Sequence, residues 1–137
     1  MSLNYSATVR SASKSADPAT VFVVDADPSA REAFESLFRS AGLQVSTACS
    51  AEEFLASDCV GQTGCLILDI AMPGMSGLDL QQELSLRRQE IPIVFITAVA
   101  DETVRPRVLE RGAVECLFKP FSETALLGAL KVAFRVN

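Results

Sequence analysis

Four polar residues stand where apolar runs stop. Asp25 follows Val21-Phe22-Val23-Val24, Asp69 follows Cys65-Leu66-Ile67-Leu68, Thr97 ends a run from Ile91, and Lys119 follows Leu117-Phe118. Two carboxylates brought close together repel each other unless a cation sits between them. The group offers only oxygen ligands and the chain contains no histidine, so a hard cation such as Mg²⁺ is favoured over zinc. A hydroxyl and an ammonium facing such a cation suit the remaining oxygens of a phosphoryl group. The set reads as phosphoryl chemistry on an aspartate. Each member alone has a plainer reading, since a strand-end Asp is commonly a turn residue or helix cap and a lone Lys is usually solvated surface. Four of them ending four apolar runs are not explained by packing.

Such a set needs elements that bring the ends of distant runs together. The short apolar runs 21–25, 65–69, 91–97 and 113–118, with a weaker one at 43–48, predict five strands. Between them the period changes to that of helices. Residues 29–41 place Ala30, Phe34, Leu37, Phe38 and Ala41 on one stripe, and Gly42 stops the helix. Ser50 and Glu53 form a capping-box pattern ahead of Phe54 and Leu55. Residues 77–87 carry Leu78, Leu80 and Leu84. Asp101 is placed to cap a fourth helix reaching Arg111, with Gly112 as its stop and Pro106 forcing a late start or a bend. Ser122 caps a last helix with Leu126, Leu127, Leu130 and Phe134 turned inward. Five strand–helix units imply an α/β fold, a doubly wound five-stranded parallel sheet with helices on both faces. Ligands of such sheets bind beyond the carboxyl ends of the strands, where Asp25, Asp69, Thr97 and Lys119 all lie.

Composition narrows the function further. The 137 residues are 49% hydrophobic, enough for one domain that buries roughly two thirds of its unfolded surface without a metal or disulfide staple. Residues 1–20, rich in Ser and Ala, read as a flexible leader, and 21–137 as the folded domain. Twelve basic against 17 acidic residues leave a net charge of −5, which argues against nucleic-acid binding by this chain itself. Without histidine no imidazole mechanism operates. The four cysteines, Cys49, Cys59, Cys65 and Cys116, contain no C-x-x-C and are expected as small buried thiols. The longest apolar run is too short to cross a bilayer and no signal peptide is evident, so a soluble cytoplasmic protein is expected.

The segment CLILDIAMPGMSGLDL (65–80), with FITA (95–98) and FKPF (118–121), resembles the response-regulator receiver domains of two-component signalling, over about residues 21–137. The resemblance implies a CheY-like, flavodoxin-like sandwich with strand order 2-1-3-4-5 and a phosphoacceptor at Asp69. It implies Asp25 and the Ala71 backbone carbonyl as Mg²⁺ ligands beside Asp69, and Thr97 and Lys119 as partners of the phosphoryl group. It further implies a sensor histidine kinase or phosphotransfer protein as donor, no turnover of an external substrate, and a homodimer through the face formed by the fourth helix, fifth strand and fifth helix. The pattern around IPIVFITA, GAVE and FKPF is similar to receivers of LuxR-type transcriptional regulators, whose DNA-binding domain is not among these residues.

Two positions depart from that family. Ala26 stands where a second acidic residue usually follows Asp25, which predicts weakened Mg²⁺ binding, with Asp27 as a substitute ligand. Cys116 stands where an aromatic residue often reorients on activation, with Phe118 expected on the opposite strand face. These changes leave open a receiver that acts as a phosphorylation-independent interaction module. A different alternative is a haloacid-dehalogenase-type phosphotransferase, with Asp25 as nucleophile and Asp27 as acid/base. It lacks the acidic cluster it needs after Lys119 and leaves MPGMSG unexplained.

Overall fold

The computed structural model describes residues 20–98 and 102–135. The expected leader therefore lies outside the described residues, apart from Thr20, which is the first residue of strand β1. The expected Asp101 cap also lies outside them. The elements run β1 (Thr20–Val24), α1 (Pro28–Ser40), β2 (Gln44–Ala48), α2 (Ala51–Ala56), a 3₁₀ turn (Val60–Gln62), β3 (Cys65–Asp69), α3 (Gly77–Leu86), β4 (Ile93–Thr97), α4 (Val104–Glu110), β5 (Glu115–Phe118) and α5 (Glu123–Arg135). All pairings are parallel and the spatial order is β2-β1-β3-β4-β5, the order the resemblance implies.

The register fixes the working edge. Asp69 is paired with Ile96 and Thr97 with Phe118, so β3, β4 and β5 end level with one another. β4 starts two residues later than the apolar run. Pro92 lacks an N–H, although its carbonyl still accepts from Leu66 at 2.9 Å. The helices on either face bury separate cores. On one side Phe54, Leu80, Leu84, Phe95 and Val108 pack against the sheet; on the other, Phe34, Phe38, Ile67, Leu126 and Leu130 do so.

Helix ends show why the chain reverses where it does. Ser76 and Asp79 close a reciprocal capping box at α3. At α2 only half of the expected box forms: Ser50 accepts from Glu53 N–H, while the Glu53 carboxylate reaches the Cys49 N–H at 2.7 Å. Pro106 falls in the first turn of a helix that starts late, at Val104, where its missing N–H costs nothing. At the far end of the sheet, α1 and α4 finish in the paired 6→1 and 5→2 bonds of a Schellman turn, with Gly42 (φ 82°) and Gly112 (φ 98°) in the left-handed position. α3 ends in the same turn, but there Arg88 takes φ 57°.

Candidate phosphoacceptor site

The carboxyl edge of the sheet gathers Asp25, Asp69 and Lys119 into one crevice. Asp25, 1% exposed, sits just past β1, and its own N–H still donates to the Ala48 carbonyl at 3.2 Å. Its Oδ1 accepts from the Asp27 N–H at 2.9 Å and its Oδ2 lies 3.4 Å from Lys119 Nζ. Lys119 is carried there by β5, whose ladder continues one residue further through Lys119 N–H to the Thr97 carbonyl at 2.8 Å. Asp69, 9% exposed, ends β3, and its Oδ1 accepts from the Ala71 N–H at 3.2 Å. Thr97 is 2% exposed at the end of β4, the strand between those that bear Asp69 and Lys119.

The electrostatics follow from this crowding. Burial raises the proton affinity of Asp69 first, and the neighbouring Asp25 carboxylate raises it further. The Ala71 N–H and the Lys119 ammonium oppose that rise without cancelling it. A buried carboxylate crowded by a second one is an environment that a hard cation relieves. Mg²⁺ commonly uses one or two carboxylates and retains several waters, so Asp25 and Asp69 fit it as a small donor set.

Asp27 is used elsewhere. Its carboxylate accepts from the Ser29 N–H at 3.0 Å as the N-cap of α1, which turns it toward the helix rather than making it a third member of the acidic pair. Among the described residues no three His, Cys, Asp or Glu side chains are grouped to hold a metal ion. The physical cause is local: an Asp ahead of Pro28-Ser29 at a helix start is a strong capping residue. Ala26 itself is exposed. Arg31 escaped the sequence reading, yet its guanidinium donates to the Asp25 carbonyl at 2.6 Å and fixes the loop after β1. Its only signal was a cation one turn into α1, which is common on any exposed helix.

Gly77 explains part of MPGMSG. A Cβ there would lie 2.5 Å from the Asp69 carbonyl oxygen, so only glycine lets α3 begin against the backbone of Asp69. Met72, in the segment between β3 and α3, is buried at 8% exposure in the α2/α3 core. Cys116 is also buried, on the side of the sheet that holds Phe95 and Val108, and burial raises its thiol. Phe118 corrects the expectation above: residues two apart on a strand share a face, so it lies on the Cys116 side. Cys65 is fully buried and its thiol is pushed up to about 12, whereas Cys59 is half-buried and Cys49 exposed, so inward packing does not hold for Cys49. All four thiols are unpaired.

A doubly wound α/β sheet with an acidic crevice and a lysine at its carboxyl edge is the architecture of CheY-like signalling domains. The response regulator receiver domain model matches residues 21–131, and this chain belongs to that family. It is 46% identical over 115 residues to nodulation protein W of Bradyrhizobium diazoefficiens, covering 84% of this chain and 51% of that protein. It is 39% identical over 126 residues to the transcriptional regulatory protein TdiR of Thauera aromatica, covering 92% and 56% respectively. The structure of the response regulator StyR superposes with a TM-score of 0.81 at 49% identity, covering 86% of this chain and 60% of that one. The chain spans about half the length of the curated relatives it matches. Membership in this family sets aside the haloacid-dehalogenase-type alternative. Among the described residues no helix is long and apolar enough to cross a membrane.

Proposed function

We propose that Asp69 is the phosphoacceptor of this receiver domain, taking its phosphoryl group from the phosphohistidine of a sensor kinase or phosphotransfer protein. The observation that carries this is the buried Asp69 carboxylate beside Asp25, with Lys119 Nζ held at the same edge. An Asp69 oxygen attacks phosphorus in line as the histidine nitrogen leaves. The Lys119 ammonium exchanges part of its pairing with Asp25 for the incoming phosphoryl oxygens, and the Thr97 hydroxyl donates to another. Asp25, Asp69 and the Ala71 carbonyl would hold Mg²⁺, which when bound neutralises charge on the phosphoryl oxygens. The new acyl phosphate adds charge and acceptors at one edge of the sheet, and the contacts of Thr97 and Lys119 then differ between the two states. That difference is what biases α4, β5 and α5, a face through which two phosphorylated copies would pair. The domain turns over no external substrate, works in the cytoplasm, and serves transcriptional output in a longer protein, as the name of TdiR states for that relative.

A second reading rests on Ala26 and on the use of Asp27 as a helix cap. With two acidic side chains at the crevice instead of three, phosphorylation is slow and the domain acts partly as an interaction module. Intact-mass spectrometry after acetyl phosphate treatment, with and without Mg²⁺, tests both. The expected result is one added phosphoryl group on the wild type and none on Asp69→Asn. An unmodified wild type at saturating donor and Mg²⁺ favours the second reading.

A further inference from the structure

The loop between β3 and α3, residues 70–76, carries the Ala71 backbone and is tied to its own elements by familiar bonds. Ala71 N–H meets Asp69 Oδ1 at 3.2 Å, Gly77 N–H meets the Ile70 carbonyl at 3.0 Å, and Ser76 closes the α3 cap. Another tie comes from a different element. Glu52, in the first turn of α2, accepts the Met75 N–H on Oε2 at 3.1 Å across 23 residues of sequence. The loop bends to receive it: Gly74 turns at φ 76°, and a Cβ there would lie 2.8 Å from the same Oε2. The carboxylate thus occupies the space that a side chain at Gly74 would need.

Glu52 reaches from a firm base. Ala51 and Phe54, on either side of it in α2, are both fully buried in the core that also holds Met72. Its neighbour Glu53 is occupied with the Cys49 N–H, so the two adjacent glutamates have separate partners. Met72 anchors one foot of the 72–75 arch by burial, and Glu52 anchors the other by a charge-assisted bond. Ala71 lies directly beside the first foot.

We infer that Glu52 is a positioning residue for phosphoryl acceptance: by clamping Met75 beneath α2 it sets where the Ala71 backbone stands beside Asp69. The inference rests on the Asp69 reading for its functional consequence and on loop geometry for the clamp itself. Two-dimensional amide NMR of the ¹⁵N-labelled chain is expected to show Glu52→Ala displacing the Ala71 and Ile70 signals as well as Met75. Phosphorylation of Asp69 by acetyl phosphate should slow about three- to tenfold, the range for losing one ordinary solvent-exposed hydrogen bond. Glu52→Gln keeps an acceptor oxygen and should stay within about twofold of wild type, with wild-type-like Ala71 signals. A purely structural role would lower the melting temperature of both variants and leave the Ala71 amide in place. An unmoved Ala71 amide in Glu52→Ala, or equal damage from Glu52→Gln, overturns the clamp. A wild type that takes no phosphoryl group would instead sink the Asp69 reading, and the amide positions would still decide the clamp.

Discussion

Replacing glycine by alanine at two positions should have opposite effects, and the structure supplies both signs. At Gly77 the added Cβ meets three backbone atoms at the end of β3 and just past it: the Asp69 carbonyl oxygen at 2.5 Å, the Ile70 Cα at 3.0 Å and the Asp69 carbonyl carbon at 3.2 Å. None of these can rotate away as a side-chain tip could. α3 must retreat or β3 must bend, and forced overpacking of this kind costs about 2–3 kcal/mol. At Gly128, inside α5, a Cβ meets nothing within 4 Å, so alanine there gains about 0.5–1 kcal/mol from helix propensity and reduced unfolded-state entropy. For a domain of this size 1 kcal/mol moves the midpoint by about 3–5 °C, which separates the two variants by about 8–20 °C. Thermal and urea denaturation of Gly77→Ala, Gly128→Ala and wild type reads the difference. Acetyl phosphate labelling of Asp69 should fall for Gly77→Ala and stay unchanged for Gly128→Ala. A Gly77→Ala protein as stable and as reactive as wild type would refute the tight approach of α3 to Asp69.

Four further outcomes follow from single features. Ala26→Asp restores a third acidic group and should tighten Mg²⁺ binding, read by titration of the crevice amides, by about tenfold or more; Asp27→Ala should leave Mg²⁺ binding within about twofold yet cost about 1 kcal/mol of stability through the lost cap on Ser29. Because burial and Asp25 raise the proton affinity of Asp69, the folded state holds that proton more tightly than the unfolded state, and stability falls as pH rises through the folded titration. Asp69→Asn should therefore be more stable than wild type at pH 7, with the gain shrinking toward pH 4; denaturation midpoints that differ equally at both pH values would contradict this. Arg88→Gly relieves a left-handed non-glycine residue and should gain about 0.5–1 kcal/mol in the same assays.

Much of the fold was legible because both periodicities were clean. Uninterrupted apolar runs such as Cys65–Leu68 mark strands buried on both faces, and their polar ends marked the working edge. Boundaries shifted where backbone chemistry outweighed the side-chain pattern. Pro92 delayed β4, while α4 opens at Val104, the late start that Pro106 predicted. The crevice partners Asp25, Asp69 and Lys119 could be read from strand ends, since a parallel sheet brings those ends together. The competing use of Asp27 could not be read as easily, because a carboxylate two residues past a strand can serve a helix start as well as a cation. Glu52 was hidden for a different reason. Its partner is a backbone N–H, which no residue type announces, on a loop that reaches it only after α2 and α3 have packed.

The five strands separate two cores, one built with Phe54, Leu80 and Val108 and the other with Phe38, Leu126 and Leu130. The molecule is in this sense two half-shells sharing one wall. Among the described residues the buried apolar side chains fall into two separate clusters, so paired truncations such as Phe54→Leu with Phe38→Leu should add to within about 0.5 kcal/mol. Val108 of α4 and Leu126 of α5 lie in different halves, so a partner seated across α4, β5 and α5 would read changes in both.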